Sequence, residues 1–170
     1  MIYYLSLGSN LGNREQTLRQ AVQRIEQQIG PVRRCSSFYY SEPWGFESSN
    51  KFCNLCCSLE CDKTPLEVLR LTQSIERSLG RTKKTLPLLP SSYTLVPSSG
   101  QTQSSIPPHP AYSDRPIDID LIRAFDDSGA EIKCQNDQMV NGKMVNILTL
   151  PHPLWQERDF VKVPLAEIMQ

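Results

Sequence analysis

The chain has 170 residues, with 18 basic and 18 acidic side chains and no formal net charge. One domain with a proper core fits that length. The charge balance excludes a strongly basic nucleic-acid surface, and no apolar run approaches the roughly 18 residues of a membrane span. Any anion chemistry must therefore rest on locally placed Arg and Lys.

The N-terminus enters a strand pattern directly, Ile2-Tyr3-Tyr4-Leu5-Ser6-Leu7-Gly8, without the pattern of a secretory leader. A turn follows at Gly8-Ser9-Asn10-Leu11-Gly12. Its two glycines lack the Lys-Ser/Thr of a phosphate loop, so a tight turn carrying one useful polar side chain, Asn10, is the better reading. Asn13 then caps a helix in which Leu18, Ala21, Val22, Ile25 and Ile29 make one apolar face, and Gly30-Pro31 ends it.

Residues 32–41 read as a second strand. The linker Glu42-Pro43-Trp44-Gly45-Phe46-Glu47-Ser48-Ser49-Asn50 is rich in turn formers and holds two aromatics. It reads equally as a ligand-contacting loop or as a hairpin loop tucking Trp44 onto the body. Residues 51–61 read as a third strand, with Phe52 and Asn54 on one face near its start. Four of the six cysteines fall here, at Cys53, Cys56, Cys57 and Cys61. In a strand Cys56 faces away from the other three, and the set spans roughly 25 Å, too far to converge on one ion. Reduced thiols filling core positions in a reducing compartment, the cytoplasm, are expected instead.

Thr64, Pro65 and Glu67 carry a capping box with proline at the first helical position. Val68, Leu71, Thr72, Ile75 and Leu79 line the helix's apolar face, and Gly80 stops it; Gln73, Glu76, Arg77 and Arg81 lie off that face. Residues 82–111 differ in kind, with six of the thirteen prolines, six serines and little hydrophobic period. A segment of this length inside a compact domain reads as a long mobile loop or a disordered insert.

The next stretch, residues 112–122, alternates. Ile117, Ile119 and Leu121 point to a core; Asp118 and Asp120 share the other face, with Arg115 three residues before. Two adjacent carboxylates suit a hard cation such as Mg²⁺, which takes one or two carboxylates plus substrate phosphates. An acidic solvent face is the alternative. Asp126-Asp127-Ser128-Gly129 makes a turn, Asn141-Gly142 signals a hairpin, and a strand runs to about Leu150. Pro151-His152-Pro153 holds a histidine stiffly. A helical turn at Trp155–Asp159 and the segments 160–163 and 164–168 close the chain.

The order strand, helix, strand, strand, helix, strand is that of a ferredoxin-like split βαβ, an α+β fold. It predicts an antiparallel sheet with helices on one face and ligand loops on the other.

Several blocks together resemble the 6-hydroxymethyl-7,8-dihydropterin pyrophosphokinase family of folate biosynthesis. They are Tyr4–Gly12, Ser37-Phe38-Tyr39 through Pro43-Trp44-Gly45, Phe52-Cys53-Asn54, Gln73–Arg81, Arg115–Leu121, Leu150-Pro151-His152-Pro153 and Arg158-Asp159-Phe160. They run in the family's order over nearly the whole chain, as one domain, 1–170. The resemblance implies a cytoplasmic diphosphotransferase that moves pyrophosphate from ATP to the pterin's hydroxymethyl group, giving AMP. It implies two Mg²⁺ ions on Asp118 and Asp120, with Arg81 and Arg115 catalytic. By the same resemblance Gln73, Glu76, Arg81, Lys83, Lys84, Tyr112, Arg115, Leu121, Thr149, His152 and Arg158 would serve ATP. Asn10, Ser41, Glu42, Pro43, Trp44, Gly45, Phe52, Asn54, Asp118 and Phe160 would serve the pterin. Ser113-Asp114 stand where relatives usually carry Gly-Pro, and the loop 82–111 is longer than usual. Small-molecule substrates, a monomer, and no nucleic-acid or membrane partner are expected. Another metal-dependent phosphotransferase on the same sheet, or a non-catalytic ligand-binding domain, are the competing readings.

Overall fold

A computed structural model describes residues 1–82 and 113–169. Lys83, Lys84, Tyr112 and all of the long loop except Thr82 lie outside the described residues.

The elements in chain order are β1 (Ile2–Ser9), α1 (Arg14–Gln28), β2 (Val32–Cys35), β3 (Tyr39–Ser41), β4 (Phe52–Glu60), α2 (Pro65–Ser78), β5 (Asp118–Phe125), β6 (Cys134–Val140), β7 (Lys143–Leu150), a 3₁₀ turn (Trp155–Glu157) and α3 (Asp159–Ile168). The main sheet runs β2-β4-β1-β5, with β3 also pairing β4, and its pairings are antiparallel. This is the ferredoxin-like order that the sequence predicts. β6 and β7 form a separate hairpin, turned at Asn141 and Gly142, both with positive φ.

Alternation along the strands builds two cores. Tyr3, Leu5 and Leu7 of β1, Cys53, Leu55, Cys57 and Leu59 of β4, and Ile119 and Leu121 of β5 face α1 and α2. Leu18, Ala21 and Ile25 of α1 and Val68, Leu69 and Ile75 of α2 close over them. Thr64 accepts from the Glu67 N–H and Glu67 from the Thr64 N–H, so the capping box forms as read. On the opposite face Cys56 and Ile122 meet Val161, Leu165 and Ile168 of α3. The cysteines thus divide between two cores, and burial pushes the Cys56 thiol up to about 12.

Three expectations are adjusted. The strand read over 32–41 is broken between β2 and β3, because the Ser36 hydroxyl accepts from the Cys56 N–H at 2.9 Å while Glu167 of α3 takes the Ser37 N–H at 2.8 Å. The acidic strand begins only at Asp118, since Arg115 is held in a turn by Asn10 and Pro116 offers no N–H. The C-terminal segment is one ten-residue helix despite Pro164 in its interior. Its Val161, Leu165 and Ile168 bury at helical spacing, which offsets the lost backbone bond.

Candidate active site

The ligand face of the sheet is set by register. Gly8 of β1 lies opposite Asn54 of β4 on one side and Asp118 of β5 on the other. The next row of that face is Cys56, Ser6 and Asp120. A Cβ on Gly8 would stand 2.9 Å from Asn54 Oδ1, so glycine leaves the floor open where these side chains converge. A cavity of about 220 Å³ sits on this floor.

The carboxylates are held by arginines. Arg81, only 6% exposed, bonds Glu76 at 2.9 Å, the Ile117 carbonyl at 3.1 Å and the Asp118 carboxylate. Burial works against the Arg81 charge, but Asp118 and Glu76 overcome it and raise its pKa. Arg115 pairs with the other oxygen of Asp118 at 2.9 Å. Glu76, 1% exposed, also accepts from the Ile119 N–H at 2.7 Å. It lies behind the cavity wall and fixes the start of β5 and the Arg81 fork.

Toward β4 the cavity is aromatic. Phe52 carries the Arg115 guanidinium at 5.0 Å over its ring and meets Phe46 edge-on at 6.1 Å. Asn54 donates to the Tyr39 carbonyl and the Ser41 hydroxyl, which leaves its carbonyl oxygen oriented by two donated bonds. Arg158 stacks over Trp44 at 4.5 Å and lies 6.0 Å from the Phe160 ring, joining α3 to the 42–50 loop. Ser41 and Glu42 also line this side.

Toward the β5 edge the walls are Gln73 of α2, Leu121, Thr149 and His152. The His152 N–H donates to the Ile122 carbonyl at 2.8 Å. Its Nδ1 accepts from the Leu154 N–H at 3.2 Å. A neutral ring so held carries its proton on Nε2, a donor suited to a phosphate oxygen.

Fifteen of the residues singled out from the sequence therefore meet around one cavity. Asn10, Pro43, Gly45 and Glu76 stand outside its lining, and Asn10 is buried beneath Arg115. Sequence reasoning missed Phe46, Gly8 and Asn146 as parts of the wall. Phe46 was visible as the second aromatic of a turn-rich loop. Gly8 and Asn146 acquire meaning only from the cross-strand register and from the packing of β7.

As for a metal, Asp118 and Asp120 both face the cavity, and no group of three or more His, Cys, Asp or Glu side chains arranged to hold a metal ion occurs among the described residues. This donor set fits Mg²⁺, which keeps water and phosphate ligands, and not an all-protein cage. No described helix is long and apolar enough to cross a membrane.

Comparison with known proteins gives a family match. The model for "7,8-dihydro-6-hydroxymethylpterin-pyrophosphokinase (HPPK)" matches residues 4–91 and 99–170. A Porphyromonas gingivalis 2-amino-4-hydroxy-6-hydroxymethyldihydropteridine pyrophosphokinase is 37% identical over 98% of this chain and 90% of its own length. The Bacillus subtilis protein of the same name is 32% identical over 99% of this chain and 78% of its own. The folic acid synthesis protein FOL1 of Dictyostelium discoideum is 30% identical over 98% of this chain, which spans 19% of that protein.

Proposed function

The chain belongs to the 7,8-dihydro-6-hydroxymethylpterin-pyrophosphokinase family, and on that premise we propose that it transfers the β,γ-pyrophosphoryl unit of ATP to 6-hydroxymethyl-7,8-dihydropterin in folate biosynthesis. The hydroxymethyl oxygen forms a bond to the β-phosphorus. The bond from that phosphorus to the α,β-bridging oxygen breaks, AMP leaves carrying that oxygen, and the hydroxyl proton passes to solvent. The observation that carries the reading is the single cross-strand row of Asn54, Gly8 and Asp118, which joins an aromatic, amide-lined pocket to a carboxylate–arginine cluster.

Transfer of this kind needs positioning and charge stabilisation more than covalent help from the protein. Phe52, Phe160 and Trp44 offer ring faces to a flat heterocycle, and Asn54 reads its edge. Asp118 and Asp120 would hold Mg²⁺, two ions in this proposal, which when bound would neutralise charge on the triphosphate oxygens. Arg81 and Arg115 orient Asp118 and supply positive charge beside the migrating group. His152, with its proton on Nε2, would donate to a phosphate of the nucleotide, while Gln73, Leu121, Thr149 and Arg158 would shape the nucleotide side. Lys83, Lys84 and Tyr112 join that side in the proposal through the family resemblance alone.

The test is AMP release from ATP and Mg²⁺ with and without the pterin. Pterin-dependent AMP is expected; ADP as product, or AMP formed equally without pterin, overturns the reading.

A further inference from the structure

The carboxylate of Asp114 gathers three separate segments. It accepts from Asn10 Nδ2 at 2.7 Å and from Asn50 Nδ2 at 2.6 Å, and it also bonds the Ser48 side chain. Asn10 belongs to the turn after β1; Ser48 and Asn50 end the loop that carries Trp44 and Phe46 to the cavity; Asp114 itself precedes Arg115. Asn10 completes the knot, since its N–H donates to the Arg115 carbonyl at 3.2 Å and its Oδ1 accepts from the Arg115 N–H at 2.8 Å. At the loop's base Lys51 pairs with Glu42 at 2.6 Å.

Side-chain donors converge on one point here, and only an acceptor with several lone pairs satisfies them all. A carboxylate does so. An amide in its place would turn N–H groups toward the N–H groups of Asn10 and Asn50. The neighbouring Arg115 faces the other way, onto Phe52 and Asp118. One turn thus ties the aromatic loop to the strand that presents the carboxylates.

We propose that Asp114 is a positioning residue that registers the Trp44–Phe46 loop against the Asp118 strand and so sets affinity for the pterin. The substrate named rests on the function proposed above; the loop anchoring does not.

The experiment compares the full-length wild type with D114A, D114N and N50A, by steady-state AMP release and by direct titration of 6-hydroxymethyl-7,8-dihydropterin and of ATP. D114A should raise the pterin KM and Kd about tenfold while ATP affinity and kcat stay within about threefold, and D114N should reproduce most of the loss. D114A combined with N50A should cost no more than D114A alone, because both act through one knot. Acrylamide quenching in a Trp155→Phe background, which leaves Trp44 as the sole indole, should increase in each variant. A folded D114A with pterin affinity within about twofold of wild type, or with an equal loss of ATP affinity, overturns the proposal. If D114A does not fold, D114N and N50A are read by the same criteria. If the wild type shows no pterin dependence, the function proposed above fails separately: unchanged Trp44 quenching then overturns the anchoring too, and increased quenching upholds it.

Discussion

Asn54 and Asp118 stand on opposite flanks of Gly8 in one cross-strand row. Two inter-strand spacings separate their backbones, roughly 10 Å. In the proposed function the amide would read one substrate and the carboxylate serve the other, held apart by the width of the bond-forming region, and a residue without a side chain keeps that region open.

Gly8→Ala should therefore damage the pterin side selectively. The new methyl group would press on Asn54 Oδ1 from 2.9 Å and turn the amide from its bonds to Tyr39 and Ser41. The expected result is a pterin KM raised about tenfold, or about 1.4 kcal/mol, with the ATP KM little changed. Initial-rate kinetics with each substrate varied in turn checks it; an equal effect on both KM values contradicts the geometry.

Asp118→Asn and Asp120→Asn should each lower kcat by a factor on the order of 10² to 10⁴, about 3–5 kcal/mol of transition-state stabilisation. They should differ in stability. Asp118 is the shared anion of Arg81 and Arg115, so its loss lowers Tm. Asp120→Asn should leave Tm nearer the wild-type value. Turnover with a Mg²⁺ titration, alongside thermal melts, separates the two effects; near-normal turnover in both variants would falsify the metal role.

Arg81→Ala should cost folding stability as well as activity. It removes the guanidinium that pairs at 2.9 Å with the Glu76 carboxylate, which is only 1% exposed. Breaking such a pair typically costs about 3–5 kcal/mol. Urea denaturation should register this, and adding Glu76→Gln should recover part of it. A destabilisation as large in the double variant as in Arg81→Ala alone would show that the pair is not the source.

Alkaline pH should destabilise the fold through the buried thiols. Burial raises Cys56 from its ordinary 9.0 to about 12 and pushes Cys57 up as well. A folded-state pKa above the unfolded one means that the stabilisation is full below about pH 9 and is lost as pH climbs from there toward the folded value. For Cys56 this costs about 1.4 kcal/mol per pH unit in that window, and Cys57 adds in the same direction. Denaturation midpoints from pH 8 to 10.5 should fall, and the slope should flatten in a Cys56→Ala variant.

Much of the architecture could be read from local chemistry. The Thr64–Glu67 capping box, the alternation of Ile117 to Leu121 and the Asn141-Gly142 turn each depend on neighbours a few residues apart, and each forms as read. What escaped depends on distant partners. The break at Ser36 is made by Cys56 and Glu167. The helix through Pro164 exists because a second core covers it. Asp114 stood out in the sequence only as part of Ser113-Asp114 in place of the Gly-Pro of relatives, and its partners Asn50 and Asn10 are 64 and 104 residues away in the chain. The family resemblance supplied most site residues, yet it left open what Glu76 touches, and only packing reveals it as the brace of Arg81 and the Ile119 N–H.

On the proposed function the Glu76–Arg81 pair ties catalysis to proteostasis. Because the cation that would stand beside the reacting phosphates is also the counter-charge of a buried acid, a copy of the protein that loses it should lose folding stability together with activity. Such copies spend more time unfolded and fall to chaperones and proteases.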